Sequence, residues 1–280
     1  MKKWGKAPCL PASAPRLKTM RNTRVSTYED TPRDVLATGN EYASGTLIPS
    51  HTHKRGQCLY PIAGVLTVTT TEGSWVVPPR RALWIPPGMA HTVQMGGPTS
   101  LLNAYLLPEI ASQAGLSQHC TVISVSPLLH ALLSEAVDLP AKYALDSRDD
   151  RLMHLLVDEI ARMPSLPLST PLPQDARLVR LCQALMQAPS LEIDIDSMAH
   201  KADMSRRSFT RLFREQTGMS FSSWRQQACL LAALSRLGRG QSVTQVAIEL
   251  GYSSTSAFTA AFRRTLGAAP SHYLLPQDAA

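Results

Sequence analysis

Apolar residues recur along this chain with two different periods. Between residues 57 and 107 they fall in short alternating runs, Gln57–Tyr60, Val65–Thr71, Ser74–Val77, Ala82–Ile85, His91–Gln94 and Ser100–Leu107, separated by Gly and Pro. A period of two with turn residues between the runs predicts a β-rich sandwich or barrel. From residue 127 the spacing becomes helical: Leu128, Leu129, Leu132 and Leu133 form a stripe within Pro127–Leu139, and Arg148–Met163 reads the same way. Such stripes are usually core faces, and here they also offer a dimer seam. Pro164, Pro167, Pro171 and Pro173 then exclude a helix and predict an extended, semi-stiff spacer over residues 164–173, with a domain on either side that folds on its own.

Past the spacer the helical period returns in a paired form. Ile195, Met198, Ala199 and Ala202 predict a short helix capped by Asp194, Asp203-Met204 breaks it, and Ser205 caps the next helix. In that second helix Phe209, Leu212 and Phe213 share one face while Arg207, Thr210, Arg211 and Arg214 project from the other, and Gly218 ends it. Helix, short turn, capped helix is the helix-turn-helix arrangement. The pattern repeats downstream. Val243, Val246, Ala247 and Leu250 mark a short helix, Gly251-Tyr252 the turn, and Ser253–Leu266 a helix whose Phe258 and Phe262 match Phe209 and Phe213. Between the copies, Phe221–Leu237 reads as one long helix that sets the two units about one DNA turn apart.

Charge sharpens this picture. Residues 205–240 hold seven arginines against one acid, Glu215. A lone Arg-rich helix is as readily a solvated face as a phosphate-binding one; the paired context favours DNA. Residues 1–24 carry seven basic residues and no acid, residues 25–170 nine basic and thirteen acidic, and residues 171–280 twelve basic and eight acidic, within a net charge of +7. The acidic middle is therefore not expected to touch DNA. The basic tail contains Pro8, Pro11 and Pro15, lacks the apolar stretch of a secretory signal, and is expected to be disordered, with Met1 and Met20 as alternative starts.

Residues from about 175 to 275 resemble the AraC/XylS family of bacterial transcription regulators. The resemblance rests on Met204-Ser205, Phe213-Arg214-Glu215 and Gly218-Met219-Ser220 in the first unit, and on Val246-Ala247, Gly251-Tyr252-Ser253-Ser254, Phe258, Phe262, Gly267 and Pro270 in the second. It implies that the two reader helices enter successive major grooves. Carried over by position, it places Arg207, Thr210 and Arg211 against bases and Arg206 and Arg214 near phosphates, and in the second unit the corresponding positions are Thr255, Ser256, Thr259 and Ala260. Ser254 is a further DNA-binding candidate, and Arg263 and Arg264 are expected to anchor phosphates. Ala260 stands where a longer polar residue is frequent in the family. The long side chains of the first unit are expected to supply most of the discrimination.

The β-rich region contains Gly45-x5-His51-x-His53-x3-Gln57-x6-Gly64 and Pro86-x-Gly88-x2-His91, which resemble the two motifs of the cupin superfamily. Gln57 stands where cupins usually carry Glu, Arg80 replaces the opening glycine of the second motif, and Met95 replaces its asparagine. The fold expectation survives these departures, whereas metal binding becomes an open question. His51 and His53 lie two apart on one strand and so point the same way, and His91 can join them. Three imidazoles suit a divalent first-row metal, but a neutral Gln is a poorer ligand than a carboxylate. The favoured alternative is a metal-free polar pocket in which His51, His53, Gln57 and His91 hydrogen-bond an organic effector.

The remaining chemistry is sparse. His119, His130, His154, His200 and His272 show no ligand spacing, and Trp75 and Trp84 suit core or pocket wall. Phosphate-cradling glycine loops, CxxC pairs and nucleophile elbows are lacking. The five scattered cysteines, Cys9, Cys58, Cys120, Cys182 and Cys229, suit reduced thiols in the cytoplasm, and no apolar run reaches membrane-spanning length.

The reading is an α+β multidomain protein. Residues 1–24 form the tail, and residues 25–163 a double-stranded β-helix (cupin) sensory and dimerisation domain ending in helices. Residues 164–173 are the linker, and residues 174–276 an all-α domain with two helix-turn-helix units joined by a long helix. Its expected function is sequence-specific, effector-modulated DNA binding by a non-enzymatic homodimer, with RNA polymerase as a further partner if it activates. Two rivals are a metal-dependent cupin enzyme fused to a DNA-binding module and an architectural DNA protein without a ligand; the second leaves the polar cluster unexplained.

Overall fold

The computed structural model describes residues 29–270, so the expectations for the basic tail and for the start at Met1 or Met20 lie outside the described residues. In chain order the first half contains β1 (Val35–Tyr42), β2 (Leu47–His51), β3 (Gly56–Ala63), β4 (Leu66–Thr69), β5 (Gly73–Val77), β6 (Arg81–Ile85), β7 (His91–Met95), β8 (Thr99–Leu106), α1 (Pro108–Gln113), β9 (Thr121–Ser124), α2 (Pro127–Ala136) and α3 (Arg148–Arg162). It is followed by β10 (Ser165–Leu166), β11 (Ser169–Pro171), α4 (Ala176–Gln187), α5 (Ile195–Lys201), α6 (Arg206–Thr217), α7 (Phe221–Gly238), α8 (Val243–Glu249) and α9 (Thr255–Leu266).

The strands form two antiparallel sheets, one in the order β1-β8-β3-β6-β9-β10 and the other β11-β5-β4-β7-β2. Their inner faces meet through Leu59, Leu83, Ile85 and Leu101 on the first and Leu66, Val68, Trp75 and Met95 on the second. The first sheet is also buried on its outer face, where Cys58, Tyr60, Trp84 and Leu102 pack against α2 and α3. Burial on both faces explains why β3 reads as an almost unbroken apolar run rather than an alternating one. Leu129, Leu132 and Leu133 of the α2 stripe are core, whereas Leu128 on α2 and Leu155 on α3 stay 46% and 43% exposed.

Residues 164–173 are extended, as the prolines require, but they are not a free spacer. β10 pairs with β9 (Ser165 opposite Ile123) and β11 pairs with β5 (Ser169 opposite Trp75), so the segment closes an edge of each sheet. It is also stitched to the helical half. The Trp224 indole donates to Pro171 O at 2.7 Å, and the Gln227 amide donates to Pro167 O and Ser169 O at 2.9 and 2.5 Å. Nor do the two halves have separate cores: one apolar cluster runs from the barrel interior into α7, α8 and α9.

Local chemistry sets the helix ends. The side chains of Ser126, Ser147, Asp175, Asp194, Ser205, Ser220, Ser242 and Ser254 each accept a hydrogen bond from a first-turn N–H of α2 to α9 in turn. Gly218 and Gly267 end α6 and α9 at φ of 72° and 85°, where a Cβ is strained. Arg80 holds φ at 64°, the glycine-type conformation that the usual residue of the second cupin motif adopts without strain. None of the described helices is long and apolar enough to cross a membrane.

Candidate effector cluster and nucleic-acid interface

Two elements and one turn bring three histidines together. His51 ends β2 directly opposite His91 at the start of β7. His53 lies beyond the strand, so strict alternation does not place it; its backbone O accepts from Gly88 N at 2.9 Å, which ties the Pro86–Gly88 turn to the first motif. Ring centroids are 4.3 Å apart for His51 and His91, 4.9 Å for His51 and His53, and 5.5 Å for His53 and His91. One ligand atom from each lies within 4.8 Å of the others, so the rings would close by about 1 Å to share one ion, whose two metal–nitrogen bonds span at most about 4 Å.

Hydrogen bonds fix which ring atoms face the cluster. His51 Nδ1 donates to Pro49 O at 2.8 Å and His91 Nδ1 donates to Met89 O at 2.9 Å, since a carbonyl only accepts. When neutral, both rings therefore present an Nε2 lone pair. Burial, and then the neighbouring imidazoles, push His53 down from 6.5 to about 4. Burial chiefly does the same for His91, which also falls to about 4 despite the Met89 carbonyl. Both rings are neutral at pH 7 and able to accept a proton donor or a cation.

Beside the histidines, Gln57 of the first motif opens a polar row whose other members the motifs do not announce. Gln57 on β3 donates through Nε2 to Asn103 Oδ1 at 2.9 Å and to the Tyr105 hydroxyl at 3.3 Å. Asn103 Nδ2 donates to Thr38 Oγ1 and Asn40 Oδ1 at 3.4 and 3.5 Å, and the Tyr105 ring lies 5.4 Å from that of His53. Gln57 Oε1 and His91 Nε2 are buried and have no hydrogen-bond partner among the described residues. Leaving such atoms unpaired costs about 1–3 kcal/mol each. Trp75 and Trp84 are buried, and His119, His130 and His154 engage Glu72, Tyr60 and Asp150 rather than this cluster.

The helix-turn-helix units present the second site. On α6, Phe209 and Phe213 are buried while Arg206, Arg207, Thr210, Arg211 and Arg214 are exposed and, with Glu215, line one open groove. Arg206 pairs with Asp196 at 3.0 Å and Arg211 with Glu215 at 3.2 Å. On α9, Phe258 and Phe262 are buried, and Thr255, Ser256, Thr259, Ala260, Arg263 and Arg264 line an equivalent groove. Ser254 does not line that groove; it caps α9, its hydroxyl accepting from Ala257 N at 3.1 Å. The four described cysteines, Cys58, Cys120, Cys182 and Cys229, are free and buried, and burial raises each thiol to about 12.

Comparison with known proteins agrees with both halves. Residues 38–182 match the family model of an AraC-like ligand binding domain and residues 198–275 that of a helix-turn-helix domain. The HTH-type transcriptional regulator NimR of Escherichia coli K12 is 31% identical over 226 residues, covering 81% of this chain and 82% of NimR. RipA of Corynebacterium glutamicum, another HTH-type transcriptional regulator, is 38% identical over 118 residues, 41% of this chain and 34% of RipA. Among solved structures, ToxT of Vibrio cholerae aligns with 86% of this chain and 98% of its own at 11% identity and a TM-score of 0.37. With a ligand-binding barrel ahead of a paired DNA reader, this chain belongs to the AraC family of HTH-type transcription regulators.

Proposed function

We propose that a small effector binds among His51, His53, Gln57 and His91, and that the occupied barrel changes the affinity or spacing with which the two helix-turn-helix units hold an operator. The observation that carries this is the position of α7. It packs on α6, on α8 and on the barrel strand β5, and so joins the barrel to both helix-turn-helix units. In this reading Arg207, Thr210 and Arg211 read bases, Arg206, Arg214, Arg263 and Arg264 hold phosphates, and Thr255, Ser256 and Thr259 make short contacts. The regulator is non-enzymatic, works in the cytoplasm as a homodimer with exposed Leu128 and Leu155 as the seam, and engages RNA polymerase where the operator position makes it an activator.

The test is direct. A duplex is selected from a random-sequence library by the full-length protein, and compounds that raise the melting temperature are added to its footprint. A compound that stabilises the barrel through these four residues yet leaves affinity and footprint unchanged refutes the coupling.

The three-histidine geometry supports a divalent cation as part of this site. His51, His53 and His91 would hold it, and the two fixed tautomers, the low proton affinities and the unpartnered His91 Nε2 fit that role. Such an ion would supply a Lewis-acid anchor for an effector. Gln57 would contribute its unpartnered Oε1 without compensating charge, which favours a modest affinity. Mass-spectrometric metal analysis of untagged protein should find about one ion per chain, lost in His53→Ala and His91→Ala. Metal-free protein that still binds its operator would leave the organic-effector pocket alone.

A further inference from the structure

The apolar packing of the DNA-binding half is divided, and the division falls inside α7. The first unit has a core of its own, in which Phe209 and Phe213 of α6 and Leu178 of α4 close on Phe221, Trp224 and Ala228 of α7. The second unit does not. Val246, Leu250, Phe258 and Phe262 belong to the same continuous cluster as Leu230 and Leu234 of α7 and the barrel residues Val65, Leu66, Trp75 and Met95.

The join between barrel and α7 is close enough to transmit displacement. Thr67 on β4 and Ser235 on α7 share a hydrogen bond of 3.0 Å between their hydroxyls. A methyl group on Gly238 would lie 2.5 Å from Val65 Cγ2 and 3.0 Å from Gly96 O, and one on Gly97 would lie 2.6 Å from Gly238 O. Backbone meets backbone here, and a packed contact of this kind moves as a body rather than yielding. The first unit, by contrast, meets the barrel through the linker. Its attachments are the apolar contact of linker Leu172 with that core and individual hydrogen bonds such as Trp224 to Pro171 O, and Gln174 N and Asp175 N to Gln216 Oε1.

We propose that the barrel and the second helix-turn-helix unit form one cooperative block, and that the barrel therefore sets the position of α9 while α6 serves as a constant anchor. The inference rests on the regulator reading for its purpose, but its first test uses neither DNA nor effector.

Native-state hydrogen exchange on the full-length protein in low denaturant reads the blocks directly. The amides of α8 and α9 are expected to open together with β4 and β5, and those of α5 and α6 to open separately. Co-opening of α8 and α9 with α5 and α6 beneath a protected barrel overturns the proposal, as does a single opening shared by all. The second test is Gly238→Ala, which favours the helix itself but wedges the join. On a duplex selected by the wild-type protein, protection of the α9 half-site should need about fivefold more protein while the α6 half-site changes by less than about twofold. The double variant Val65→Ala, Gly238→Ala should recover part of the loss. An equal change at both half-sites, or none at either, overturns the proposal. Wild-type protein that footprints no selected duplex would instead sink the regulator reading, whatever the exchange data show.

Discussion

Replacing Arg211 by Ala tests the DNA reading at the side chain where the structure makes the most specific demand. A bidentate Arg–guanine contact is worth about 1–3 kcal/mol, on the order of 5- to 150-fold in affinity. Arg211 is not free to make it at no cost, because its guanidinium lies 3.2 Å from Glu215 on the next turn. Both partners are largely exposed, 73% and 63%, so that pair is worth only about 0.3–0.5 kcal/mol. Glu215→Gln should therefore tighten binding to the selected duplex about twofold, and Arg211→Ala should weaken it by at least about fivefold while affecting a scrambled duplex far less. Arg264→Ala, at the end of α9, should weaken both duplexes alike and lower the salt slope by about 1. Fluorescence anisotropy at fixed salt measures all three. If the Glu215→Gln gain persists undiminished in the Arg211→Ala background, Glu215 acts as general charge and not through Arg211. If Arg211→Ala weakens both duplexes equally, Arg211 is a phosphate contact and the base-reading assignment is wrong.

Two further outcomes follow from the barrel. Arg80 sits at φ 64°, where an L-residue costs about 1–2 kcal/mol, partly offset for Gly by its freer unfolded chain; Arg80→Gly should raise stability by about 0.5 kcal/mol in chemical denaturation. His53 and His91 protonate near 4 in the fold and near 6.5 when unfolded, so both states are neutral above 6.5 and stability falls as pH drops from 6.5 towards 4. At pH 5 the loss for His91 is about 2 kcal/mol and less for the half-exposed His53. Chelated protein should then melt on the order of 5 °C lower at pH 5 than at pH 7.5. A His91→Gln variant with the same pH slope would rule out the His91 imidazole as the main cause.

The helical half was legible because its signals are local. Asp194, Ser205 and Gly218 cap and end their helices through atoms within one turn, and the Phe209–Phe213 and Phe258–Phe262 spacing fixes the buried face. The linker was not legible, because its prolines report backbone conformation while its pairing with Ile123 and Trp75 depends on distant strands. Nor do prolines show that the barrel and second unit share a core, which is a property of packing. In the barrel, the cupin motifs named all three histidines that meet, although His53 gets there by a turn rather than by strand alternation. The polar row was missed, yet it left a trace. Thr38 and Asn40 on β1 and Asn103 and Tyr105 on β8 are spaced by two within apolar strands, the pattern of an inward polar face.

The two reader helices differ both in what they offer DNA and in what holds them, and in the proposed reading the two differences serve one purpose. Arg207 and Arg211 on α6 reach through flexible stems, so a displacement of half an ångström is absorbed by rotamer changes with little loss. Thr255, Ser256 and Thr259 on α9 have no such reach. A hydroxyl contact near 2.8 Å is weakened severely once the helix withdraws by about 0.7 Å. Each such bond is worth about 0.5–1.5 kcal/mol, so losing two would supply a coupling energy of about 1–3 kcal/mol, enough for allosteric control. Short readers on the unit that shares its core with the barrel thus convert a small shift of α7 into a change of affinity. Long readers on the unit with its own core keep the protein in register on its site while that change occurs.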